Sequence, residues 1–147
     1  MTKQIIERKI RDELFFNFIG LSDKEDAYFI SDILESEFKA EFIDIYDSNP
    51  FVDLFERILK IDDIKFIISC SFLEGLGLTL NRQNEENNEW LRNLAYEVLN
   101  VIKERGSNYL TEKAKARQAE SWKKDQIIIN GRLDELEKSR ENRKKKK

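Results

Sequence analysis

Glu37, Glu41 and Asp44 fall at i, i+4 and i+7, with Glu35 and Asp47 close by. On a helix that spacing lines carboxylates along one side, and each like-charge pair costs about a few tenths of a kcal/mol. Such a stripe invites compensation by a divalent cation, by a basic protein surface, or by a basic nucleic-acid channel in which carboxylates stand in for phosphates. Helical di-metal sites draw on Glu-x-x-His, and this chain has no histidine, so metal is the weakest of the three. The plain alternative is a solvated helix face. Glu37, Glu41 and Asp44 are therefore read, with Trp122, as contacts to a protein partner.

The missing histidine removes the side chain that most often carries general acid-base work near neutral pH. Ser-His-Asp and Cys-His sites cannot be built. A single cysteine, Cys70, rules out an intramolecular disulfide and an all-cysteine zinc site within one chain. It lies in the apolar run 66–73, where a buried and inert thiol is expected. Gly75-Leu76-Gly77 lacks the third glycine and the Lys-Ser/Thr pair of a phosphate-binding loop. These absences point to a non-catalytic protein with no cofactor and no metal site.

Charge is unevenly distributed. Residues 1–110 hold 13 Lys/Arg against 22 Asp/Glu, a net of -9, whereas residues 111–147 hold 13 against 7, a net of +6. Two surfaces of opposite sign attract different partners at long range. The basic part ends in a tail where Arg140, Arg143, Lys144, Lys145, Lys146 and Lys147 place six cations in eight residues. That density can neutralise several phosphates and gain from counterion release. It positions without reading base edges, so a sequence-independent nucleic-acid contact is expected.

One proline and five glycines in 147 residues favour long helices with few turns. Ile6, Ile10, Leu14 and Phe18 step by four and predict a first helix. Ser22 and Glu25 read as a capping box for a second helix carrying Ala27, Ile30, Leu34, Phe38, Phe42 and Ile45. Asn49-Pro50 reads as the start of a short third helix bearing Phe51, Leu54, Phe55, Ile58 and Leu59. Residues 64–80 are apolar nearly all round. Their length and neighbours favour a buried helix, with a strand at 65–72 as the alternative. Leu91, Leu94, Ala95, Val98, Leu99 and Ile102 predict an amphipathic helix stopped at Gly106. A long basic helix then follows, without an internal repeat or a sustained heptad run, bent at Gly131 and fraying from about Ser139.

The sequence thus predicts an all-α fold. An acidic body of about five helices, residues 1–106, would carry a partly protruding basic helix and tail, residues 107–147. Most of the ten phenylalanines belong to the core of such a body. Trp122 lies off the main stripes and is a candidate interface anchor. No stretch reaches the roughly 20 apolar residues of a membrane span, and a cytoplasmic setting is expected. The functional expectation is an accessory or regulatory subunit of a nucleic-acid-handling or antiviral defence assembly. It would dock on protein through the acidic body and reach nucleic acid through the tail. The alternative is an acidic inhibitor or antitoxin that occupies a basic site on a partner, and self-association through the last helix is a further option.

Overall fold

The computed structural model describes residues 4–10, 12–47, 54–105 and 112–145. It overturns the all-α expectation: the described residues build one six-stranded antiparallel sheet and three helices. In chain order these are β1 (Ile5–Ile10), β2 (Glu13–Phe18), α1 (Lys24–Glu37), β3 (Glu41–Asp47), β4 (Leu54–Ile61), β5 (Ile64–Ser71), β6 (Gly75–Thr79), α2 (Glu85–Arg105) and α3 (Glu112–Lys145). The strands lie in the order β1-β2-β6-β5-β4-β3. Asn49-Pro50 and the Gly106 stop fall outside the described residues.

The expected first helix is a hairpin, with Ile5 opposite Phe18 and Ile10 opposite Glu13. A step of four returns to the same face of a strand as readily as to the same face of a helix. The spacing of Ile6, Ile10, Leu14 and Phe18 therefore had no power to choose. The expected third helix is β4 for the same reason: Phe55 and Leu59 point to the core while Leu54 and Ile58 point away. The buried run 64–80 takes the strand alternative as β5 and β6, joined by Phe72-Leu73-Glu74. Gly75 opens β6 directly after that loop at φ +77, a left-handed conformation that favours glycine.

α1 is the one early helix that forms as expected, although its cap sits one residue later. Asp23 accepts from the Asp26 backbone N–H at 2.9 Å, and the Asp26 carboxylate reaches back to the Asp23 and Ser22 amides. The helix stops at Phe38, well before Phe42 and Ile45, because Lys39 adopts φ +59 and lets the Ala40 amide donate to Leu34 O at 3.1 Å. A left-handed residue just past a helix end is usually glycine.

The sheet buries one face. Phe16, Phe18, Ile45, Phe55, Leu59, Phe66, Ile68, Leu76, Leu78 and Leu80 pack there against Ile30, Ile33 and Leu34 of α1 and Leu91, Ala95 and Val98 of α2. On the opposite face Phe15 lies across Gly77. A Cβ at that glycine would come within 2.6 Å of the ring and 2.5 Å of Phe16 O, so the strand crossing requires glycine. α3 packs outside α1 and passes the β3 edge.

Candidate binding surface on the C-terminal helix

What ties α3 to the body is a buried ionic cluster. Arg57 belongs to β4 and, by register, points to the helix-covered face beside Ile68. Its Nε donates to Asp125 Oδ2 at 2.9 Å, and its Nη1 donates to Glu35 Oε1 at 2.9 Å and to Ser31 Oγ. Tyr28 OH donates to the same Asp125 Oδ2 at 2.6 Å. The guanidinium stacks over Phe42 with Cζ 4.5 Å from the ring centroid. Asp125, from α3, is 1% exposed and Arg57 3%. Two charges removed from water in this way need mutual pairing and further hydrogen bonds to be tolerated. Burial and the hydrogen bond to Asp125 push the Tyr28 phenol far above its ordinary range. Burial alone would lower the Arg57 pKa, but the bond to Asp125 and the nearby Glu35 outweigh it and raise it. The cluster is saturated by its own members. It joins β4, α1 and α3.

Two further arginines extend the anchorage along α3. Arg117 holds Asp32 of α1 bidentately, with Nε to Oδ1 at 2.9 Å and Nη2 to Oδ2 at 3.1 Å. Arg132 binds the sheet edge, with Nη2 to Asp44 Oδ1 at 2.6 Å and Nη1 to Ile45 O at 2.7 Å. That edge also carries the Ile45 amide, which donates to Asp44 Oδ1 at 2.7 Å. The backbone groups of Ile45 at the open edge of β3 are thus occupied, which blunts its use as a template for another strand. The Arg132 hydrogen bond holds the Asp44 carboxyl below its ordinary pKa.

Ala114, Gln118, Ser121, Asp125, Ile128 and Arg132 lie along one line of α3, at steps of 4, 3, 4, 3 and 4. From Ala114 through Ile128 this line is buried or partly so. It is the docked face. From Asn130 to Arg143 every residue is exposed, so the last turns leave the body. α3 has 34 residues, or about 51 Å at 1.5 Å per residue.

The residues singled out from sequence are not gathered into one place. Glu37 ends α1, while Glu41 and Asp44 belong to β3, so no helical carboxylate stripe exists. Glu41 lies 3.9 Å from Lys60, and Asp44 is bound by Arg132. Trp122 is on α3, 49% exposed. Arg140 and Arg143 stand exposed on the free turns, and the helix backbone runs on through Lys144 and Lys145. Lys146 and Lys147 lie outside the described residues. Cys70 is buried, with Sγ 3.1 Å from Ser22 O, to which the thiol donates. Among the described residues no group of three or more acidic or cysteine side chains is placed to hold a metal ion, and no helix is long and apolar enough to cross a membrane.

Arg57, Asp125 and Tyr28 were missed. Arg57 stands in Leu54-Phe55-Glu56-Arg57-Ile58-Leu59, where a Glu-Arg pair enclosed by apolar residues is the single hint of burial. Asp125 follows Lys123-Lys124 and resembles any solvated helix residue. No protein-family model, no curated protein and no solved structure matches the chain.

Proposed function

We propose that the chain is a non-catalytic binding protein whose α/β body holds out a basic helical arm to nucleic acid. The observation that carries this reading is the way α3 is anchored. Polar contacts at Arg117, Asp125 and Arg132 fix it to the body, and its remaining turns are exposed as far as Arg143. Residues 138–147 of this arm hold seven Lys/Arg and one Glu. A helix fixed at one end presents cations to a phosphate backbone with less ordering cost than a loose tail would incur. The acidic body, with a net of -9 over residues 1–110, opposes nucleic acid and confines the contact to the arm. Phe72 and Leu73, 85% and 87% exposed at the tip of the β5–β6 hairpin, give the body apolar anchors for a protein partner, as an accessory subunit needs. The inhibitor reading draws less support, since Glu41 and Asp44 already face cations of their own chain.

Fluorescence anisotropy with a labelled duplex of arbitrary sequence, at low salt, tests the arm directly. Replacing Arg143 and Lys144–Lys147 by Gln removes five cations and should weaken binding by at least about tenfold, since those cations supply most of the phosphate contacts. Equal affinity of the two chains, or no binding by either, would overturn the reading.

A further inference from the structure

α3 carries a second line of residues that the body covers only in part. Trp122, Gln126, Ile129, Leu133, Leu136 and Arg140 repeat the 4, 3, 4, 3, 4 spacing of the docked face, moved on by eight residues. Eight residues rotate a helix by about 80°, so this line flanks the docked one. Trp122, Leu133 and Leu136 are 49%, 53% and 58% exposed, and Gln126 and Ile129 are half-buried at the boundary with the body. Apolar residues at alternate steps of three and four form a coiled-coil seam, which is stable when a second helix covers it.

We infer that the occupant is a second copy of this chain, bound antiparallel along α3. The spacing itself is the first argument. Turned end for end about residue 131, the seam meets its own copy with Trp122 against Arg140, Gln126 against Leu136 and Ile129 against Leu133. A two-fold contact requires this self-complementarity, with each residue pairing reciprocally. Charge is the second. In that register the flanking position Lys123 faces Glu137 of the other copy, and the pair occurs twice. Both side chains are exposed, and neither has an ion pair among the described residues. Opposite charges at such flanking positions set partner and orientation. Arg140 over the Trp122 ring adds a cation–π contact at each end. On the other flank Arg132 approaches its symmetry mate, but Asp44 already neutralises each. The pairing also covers the free turns of each copy with the anchored turns of the other. Residues beyond Arg140 emerge at opposite ends, so the dimer would present two basic arms.

This inference stands apart from the nucleic-acid reading, and its test needs no nucleic acid. Sedimentation equilibrium of the full chain should give twice the 17.5 kDa chain mass. Leu133→Glu with Leu136→Glu should give the monomer with an unchanged far-UV spectrum, because both positions are exposed. Lys123→Glu should weaken the dimer by about tenfold through two like-charge contacts. Adding Glu137→Lys to that chain should restore it, which a parallel pair would not allow. A wild-type chain that remains monomeric up to ~100 µM, far above a specific contact's dissociation constant, overturns the proposal. So does a dimer unaffected by the leucine substitutions, or one that the second charge reversal fails to restore.

Discussion

Arg57 and Asp125 form a charge pair that the fold has withdrawn from water, and its worth lies in location more than in net energy. Asp125 accepts from both Arg57 and Tyr28, so its loss leaves a buried guanidinium short of one carboxylate and a phenol without an acceptor. Asp125→Ala is expected to lower unfolding stability by about 3–5 kcal/mol, read from the midpoint of urea denaturation. Replacing the pair together, as Arg57→Met with Asp125→Leu, should recover most of that loss, because apolar side chains of similar volume avoid the desolvation cost. A single substitution costing under about 1 kcal/mol would mean that α3 is not held there. None of this was legible from sequence, since a buried aspartate on an otherwise charged helix differs from a solvated one only by what the sheet brings to it. The buried Cys70 was legible, because an apolar run constrains its neighbours whether it becomes a strand or a helix.

At the scale of elements, two physical coincidences made strands read as helices. One is the step of four, common to both periodicities, in β1, β2 and β4. The other is a β-bulge. The β3–β4 register shifts between Phe42 and Asp44, so Phe42 opposes Leu59 and Ile45 opposes Arg57. The extra residue turns the strand's step of two into a step of three, and Phe42 and Ile45 seemed to continue α1. The stop of α1 was hidden as well, because a lysine occupies the left-handed position where glycine is usual. Lys39→Gly should remove that strain and raise stability by about 0.5–1 kcal/mol, or a few degrees in Tm. A lower Tm would show that the lysine side chain contributes more than its backbone costs. α2 was legible because its apolar steps of three and four continue over many turns, which a strand cannot imitate for long, and α3 because helix-favouring residues dominate it. Self-association through the last helix was legible as an option, but the seam from Trp122 to Arg140 was not, because it shares the helix with the docked line. The two together spread apolar residues around α3, and neither dominates.

Taken whole, the molecule separates charge along its longest element. The acidic body and the basic end are joined by α3, whose docked line spends its polar residues on anchorage and whose last turns are exposed as far as Arg143. The division of charge was legible from composition alone, and so was a long C-terminal helix that leaves the body. The sheet that supports it was not, because steps of four and the bulge in β3 gave its strands spacings that a helix shares. The central claim is that the basic end binds a phosphate backbone without reading it. The salt dependence of duplex binding tests this most directly. With about five phosphates neutralised, log K should fall against log salt with a slope of about -4 to -5, the same for unrelated sequences. A slope near zero, or affinity confined to one sequence, would contradict it.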